Sequence, residues 1–250
     1  MVILKSLQEI EKIQRAGRLV AEVLEAMRQA VRPGVSTAVL DEQAEKIIRA
    51  SGAKPAFKGY RGYPRTLCTS INDQVIHGIP SKATILKEGD IVSIDVGTIV
   101  DGFYGDAAIT VPVGPISTAA GRLIRVTEEA LMRGIEAARP GNLLYDISAA
   151  VQEHVESHGY SVVREFVGHG IGRSLHEDPQ VPNFGERGRG PRLQAGMVLA
   201  IEPMVNMGGS KTVVTDDQWT AVTADGSLSA HFEHTIAILD DGPRILTLRQ

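Results

Sequence analysis

The chain repeats itself at a constant offset of 107 residues, and this limits what it can fold into more than any other feature. Residues 22–52 read EVLEAMRQAVRPGVSTAVLDEQAEKIIRASG, and residues 129–159 read EALMRGIEAARPGNLLYDISAAVQEHVESHG. Arg32-Pro33-Gly34 falls on Arg139-Pro140-Gly141, Gly52 on Gly159 and Gly89 on Gly196. The last match carries EGDIVSIDV onto AGMVLAIEP and sets Asp95 on Glu202. Repeated units of this kind bury their apolar faces against each other. Length alone allows one domain or two. Two related halves, about 6–113 and 118–248, predict a single pseudo-twofold α+β domain over 1–250. The link around Pro112–Ser117 is too short for a flexible tether.

Each copy opens on helices. Ser6 and Glu9 have the spacing of a capping box. Ile10, Ile13, Gly17, Val20, Leu24, Met27 and Val31 then recur every three or four residues on one helix face. Pro33 cannot continue that helix, and Gly34 suits the turn that ends it. A second helix runs from about Ser36 to Ala50, and the second copy repeats the plan from about Thr118 to Ser157. Strands are predicted at Ile91–Val96 and Phe103–Val113, around a turn at Val100-Asp101-Gly102. Others follow at Val162–Val167, Met197–Met204, Lys211–Thr215 and Phe232–Leu239.

Composition excludes several classes. At 43% hydrophobic and 22% charged, the chain can build a core and is not a disordered segment. One cysteine excludes a disulfide scaffold and a cysteine-based zinc finger. A net charge of −4 without a basic run gives no nucleic-acid motif. No apolar stretch reaches the roughly 18–20 residues of a membrane span. Glu9 and Glu11 interrupt the N-terminal stretch where a signal peptide needs an unbroken apolar run. The expectation is a soluble, cytoplasmic protein.

The residues that carry chemistry are acids inside apolar strands: Asp95 in IVSIDVG, Asp106 in FYGDAAITV, Glu202 in VLAIEPM and Glu233 in HFEHTIAIL. Acids are depleted in strands and costly to bury unpaired. One alone is ordinarily a salt-bridge partner; four at related positions of a duplicated unit point to a bound cation. A two-residue hairpin turn sets Asp95 and Asp106 on one sheet face, opposite or one step diagonal, where they repel unless a metal or proton bridges them. His169, between the glycines of GHGIGRSLHEDP, adds an imidazole, and the glycines allow a tight bend and close approach of a ligand. Four carboxylates and one imidazole favour manganese, iron(II), cobalt or zinc over copper, and five donors suit two ions. Such a pair supports hydrolysis. Ser93, Ser229 and Cys68 lack a nucleophile's context, and no lysine follows GHGIG as a P-loop requires. His154 and His158, on a predicted helix, read as solvated, and His231 and His234 receive no role.

Five motifs, VIHGIP at 75–80, DVGTIVDGFYGDAA at 95–108, VGHGIGRSLHE at 167–177, IEPMVN at 201–206 and SAHFEHT at 229–235, resemble those of the methionine aminopeptidases in kind and order. The resemblance runs from about residue 6 to residue 248. It implies a pita-bread fold, an α+β pseudo-twofold repeat of helices packed on a curved antiparallel sheet. It implies two divalent metal ions (Co, Mn, Fe(II) or Zn) held by Asp95, Asp106, His169, Glu202 and Glu233, with Asp106 and Glu233 bridging. Glu202 would be the general base, with His77 and His176 beside the substrate. Phe57, Tyr60, Tyr63, Cys68 and Trp219 would line the methionine pocket, although aromatics in a Gly-rich loop are equally compatible with packing. Arg61, Leu175 and Phe57 depart from the residues common there in bacterial enzymes.

Only 31 residues separate Glu202 from Glu233, which leaves no room for the helical insert of type II enzymes, and the N-terminal extension of eukaryotic type I enzymes is missing. The resemblance is therefore to the bacterial-style type I. The implied substrate is the N-terminal methionine of nascent polypeptides with a small second residue, cleaved by a monomer that works near the ribosome. A proline-directed relative, an Xaa-Pro aminopeptidase or prolidase, usually carries a large N-terminal domain for which 250 residues leave no space. A pita-bread protein that binds partners without metal is the alternative from another class.

Overall fold

The structure is a computed structural model that describes residues 2–249; Met1 and Gln250, the ends of the expected 1–250 domain, lie outside the described residues. Four α-helices form among the described residues: α1 (Leu7–Ala30), α2 (Thr37–Ala50), α3 (Thr118–Ala137) and α4 (Leu144–Ser157). The Ser6 hydroxyl accepts the Glu9 N–H, and the Glu9 carboxylate accepts the Ser6 N–H at 3.0 Å, so the capping box is made. Ile10, Ile13, Gly17, Val20, Leu24 and Met27 are buried along α1, the face their spacing predicts.

The repeat is kept in detail. Moving α2 by 107 residues gives the bounds of α4. The bridge Ser36–Ile85 recurs as Leu143–Arg192. The bond from Gly34 N–H to the Leu86 carbonyl recurs from Gly141 to Leu193. Gly34 and Gly141 hold φ of 88° and 91°, a left-handed conformation that side chains resist, so both turns demand glycine.

Fifteen strands are present among the described residues. In the first half they are β1 (Lys54–Pro55), β2 (Leu67–Ile71), β3 (Gln74–Ile76), β4 (Ile91–Val100) and β5 (Phe103–Pro112). In the second they are β6 (Ser161–Val162), β7 (Gly168–Gly170), β8 (Glu177–Val181), β9 (Val198–Ile201), β10 (Met204–Asn206), β11 (Thr212–Val214), β12 (Ala221–Thr223), β13 (Ser229–His231), β14 (Glu233–Leu239) and β15 (Gly242–Ile245). The main sheet runs β1-β4-β5-β14-β9-β7-β8, with β2 beside β4 and β15 beside β14. Every pairing in it is antiparallel. The halves meet inside it, where β5 pairs with β14. The β4–β5 hairpin closes on Asp101 and Gly102, both at positive φ, the two-residue turn that matches strand twist.

One face of the sheet packs on the helices. Leu24, Met27, Leu40, Ile94, Val96, Leu131, Ile147, Leu199 and Ile236 belong to one core that draws on both halves. Each such aliphatic contributes about 1.5–3 kcal/mol on burial, a reserve that can offset a few costly polar groups on the opposite face.

Several predicted strands are shorter or broken. Met197–Met204 splits around Glu202-Pro203, because proline has no N–H to give a ladder. The predicted strand Phe232–Leu239 starts at Glu233, and Val162–Val167 is a strand only to Val162 before the chain leaves for β7. Lys211–Thr215 shortens to Thr212–Val214, whereas Ile91–Val96 extends to Val100.

Candidate metal centre

Strand register decides which side chains meet. Asp95 stands opposite Ala108 and Asp106 opposite Gly97, so the two acids are diagonal neighbours. Ala108 faces Glu233 on its other side, and Ala200 faces both Thr235 and His169. The Asp106 N–H donates to the Thr235 hydroxyl, which donates back to the Asp106 carbonyl, placing these two opposite each other as well. Opposed residues, and residues two apart on a strand, share a sheet face. Asp95, Asp106, Glu233 and His169 therefore emerge on one side, and Glu202 follows β9 on the same side. Gly97, Ala108 and Ala200 between them are small, which leaves space above the sheet.

Donor atoms of Asp106, His169 and Glu233 lie within 4.8 Å of one another. Glu202 Oε1 is 3.5 Å from His169 Nε2, and the Asn183 side-chain amide donates to the Glu202 carbonyl. His169 Nδ1–H donates to the Gly170 carbonyl at 2.9 Å, which leaves the lone pair on Nε2, the form a metal takes. Burial pushes His169 down to about 3, so the ring is neutral.

The four carboxyls go the other way. Burial pushes Asp95 up to about 7 and holds Asp106, Glu202 and Glu233 well above the usual carboxylate range, with mutual repulsion adding to the last three. Among the described residues, no lysine or arginine is ion-paired with any of them, which removes the salt-bridge reading. Asp95 Oδ1, Asp106 Oδ1 and Glu233 Oε1 are buried and lack a hydrogen-bond partner. Orphaned oxygens on clustered acids, beside a neutral imidazole, fit divalent cations of the hard-to-borderline kind.

The glycines around His169 act differently from the expectation. Neither has positive φ. A Cβ at Gly168 would lie 2.4 Å from the Ala200 carbonyl oxygen, and one at Gly170 would lie 2.2 Å from that of Asp178. They let β7 fit between β8 and β9 rather than bend toward a ligand.

A cavity of about 160 Å³ opens over this cluster, bounded by all five acid and imidazole groups together with Phe57, Tyr60, Tyr63, Cys68, His77, His176 and Trp219. The apolar wall is built from distant segments. Cys68 stands opposite Asp95 in the β2–β4 pair. Phe57 closes over Gly97, where a Cβ would come within 2.7 Å of its ring. The Tyr63 hydroxyl reaches the carbonyls of Leu67 and Gly78, and Trp219 meets the Tyr63 ring edge-on at 5.0 Å. Leu175 and Arg61 also line the cavity, Arg61 at the mouth over the Tyr60 ring.

The two further histidines flank the cluster. His176 lies against the His169 ring at 4.2 Å between centroids, and its Nδ1 is 2.9 Å from the Tyr60 hydroxyl. His77 stands edge-on to Phe166 and Trp219 and holds φ of 60°, a strained conformation for a non-glycine residue and one that clusters at functional sites. Burial pushes His77 down to about 4 and, with the Arg61 charge adding, lowers His176. Both are neutral at ordinary pH.

The sequence assigns no role to His231, yet its buried Nε2 lies 3.9 Å from Glu202 and lacks a hydrogen-bond partner. Its place two residues before Glu233 is the signal that marks it. His234, one residue after Glu233, turns to the opposite face and bonds the Thr247 hydroxyl. His154 and His158, expected to be solvated, are instead half-buried beside Glu129.

The chain matches the profile of metallopeptidase family M24 over residues 11–240. It is 56% identical over 248 residues to a methionine aminopeptidase of Clostridium acetobutylicum, covering 99% of each chain. The solved methionine aminopeptidase of Thermotoga maritima superposes with a TM-score of 0.98 at 49% identity, covering 100% of both chains. A prolidase from Pyrococcus horikoshii shares the fold alone, with a TM-score of 0.79 at 24% identity over 100% of this chain and 65% of that one.

Proposed function

The chain belongs to metallopeptidase family M24, with the methionine aminopeptidases, and we propose that it removes N-terminal methionine from nascent proteins and peptides whose second residue is small. The pita-bread fold is that of its relatives. The observation that carries the reading is a single cavity with a cluster of orphaned carboxyl groups on one side and an apolar, aromatic wall on the other. The first supplies the chemistry, and the second takes a methionine side chain.

Asp95, Asp106, His169, Glu202 and Glu233 would hold two divalent cations, with Asp106 and Glu233 at the centre of the donor set. When bound, such ions supply Lewis acidity and lower the pKa of water at the site. Glu202 then takes the proton of the attacking water and returns it to the leaving amine. If the Tyr60 hydroxyl donates to His176 Nδ1, His176 Nε2–H is left to donate to the scissile carbonyl and to the oxyanion that develops there. His77 faces the peptide nitrogen after the methionine. Phe57, Tyr60, Tyr63, Cys68 and Trp219 enclose the thioether chain. Catalysis by one domain, residues 1–250, acting as a cytoplasmic monomer near the ribosome, completes the proposal. No helix among the described residues is long and apolar enough to cross a membrane.

Met-Ala-Ser assayed beside an Xaa-Pro peptide, each with cobalt, manganese, iron(II) and zinc, tests the substrate. Methionine release from the first alone is expected. Cleavage of the Xaa-Pro peptide, or rates indifferent to metal, would overturn the reading. His176→Ala should lower turnover by about 10²–10³, the loss typical of one oxyanion donor, while metal content stays at the wild-type value. Equal loss of both would make His176 a metal-site residue instead.

A further inference from the structure

Away from the catalytic cavity, α3 and α4 bring together a second set of metal-ligating groups. His154 stands in the last turn of α4 and His158 is the residue that caps its C-terminus, four positions on, so the two rings lie on the same side of the helix end. Glu129 on α3 meets them, and one donor atom from each of the three lies within 4.8 Å of the others. The two rings are 4.6 Å apart between centroids, and His154 Nε2 is 3.1 Å from the Glu129 carboxylate.

We propose that Glu129, His154 and His158 form a binding site for a borderline divalent cation of the zinc type, separate from the catalytic centre. Two imidazoles and one carboxylate, with water in the open position, are a donor set that zinc accepts. The orientation is already prepared. His158 Nδ1 is 2.8 Å from the His154 backbone carbonyl, which can only accept. Nδ1 therefore carries the proton and Nε2 the lone pair, the arrangement that usually orients a metal-bound histidine. The cation would replace the proton shared by His154 and Glu129, and would compete with Arg125, whose Nε lies 4.0 Å from the same carboxylate.

The internal repeat supplies a control. At the 107-residue offset, the first half has Glu22, Ile47 and Ser51 in place of Glu129, His154 and His158. The helix pair therefore folds without these imidazoles, and the donor set belongs to one half only. Binding would tie the last turn of α4 to α3, a staple across the second helix pair.

The test is equilibrium dialysis of the whole protein against zinc, with bound metal counted by mass spectrometry. His154→Ala/His158→Ala should bind one zinc fewer than wild type and keep wild-type methionine release, since neither residue borders the catalytic cavity. Glu129→Gln, at an exposed position, should weaken the extra zinc by about tenfold or more and guards against misfolding of the double variant. The same zinc count and affinity in all three proteins would overturn the proposal. Loss of one zinc together with loss of catalysis would also overturn it, by tying the metal to the other site.

Discussion

Stripping the divalent cations from this protein should abolish peptide hydrolysis and leave a fold that weakens as pH rises. Asp95 is raised to about 7, and Asp106, Glu202 and Glu233 stand well above their ordinary range, chiefly through burial. In the unfolded chain these groups ionise near 4. Without cations the folded state thus holds protons that the unfolded state has released. That contribution is complete below the unfolded values and is lost as pH climbs through the folded ones. Each proton so held costs about 1.4 kcal/mol of stability per pH unit.

The histidines act in the opposite sense over a different window. His77 and His234 are lowered to about 4, and His169 and His231 to about 3, so their effect lies below histidine's ordinary value of about 6.5. Above pH 6.5 the carboxyls dominate. Thermal unfolding at pH 6.5, 7.5 and 8.5 should show a midpoint that falls steadily with chelator and stays nearly flat with manganese or cobalt. A chelated protein whose midpoint is level or rises over that range would contradict the cation-holding role of the cluster.

Glu202→Gln should reduce turnover by about 10²–10⁴, the range for loss of a positioned general base, with a much smaller change in KM. Glutamine keeps a carbonyl oxygen as donor and nearly the same shape, but it cannot take a proton. Its hold on the backbone is undisturbed, since Asn183 bonds the Glu202 main-chain carbonyl. Bound metal, measured beside the rate, separates loss of a base from loss of a ligand. A variant that retains metal and turns over at the wild-type rate would remove Glu202 from the proton-transfer step. The stripped variant should also lose less stability between pH 6.5 and 8.5, because one buried ionisable carboxyl is gone.

What the sequence carried is what local physics decides. Helix starts and ends follow from Ser6, Glu9, Pro33 and the glycines, because capping and φ are settled within a few residues. The β4–β5 turn follows from Asp101-Gly102, and with its two-residue length the diagonal relation of Asp95 and Asp106. The 107-residue offset carried α2 onto α4 and Asp95 onto Glu202. The strand errors are of the same origin: apolar runs such as Val162–Val167 look like strands, but pairing partners decide where a ladder stops.

The tertiary structure alone decided which distant segments share a surface. Nothing in FKGYRGYPRTLC states that Phe57 closes on Gly97, that Cys68 stands opposite Asp95, or that Trp219 meets Tyr63 across more than 150 residues. Flanking position does not tell His231, beside Glu202, from His234 on the far face; strand alternation does. His154 and His158 read from sequence as solvated side chains, and only the packing of α3 on α4 brings Glu129 to them. Local propensity acts through the backbone of neighbouring residues, whereas the cavity and both clusters depend on side chains joined only by packing between elements far apart in the chain.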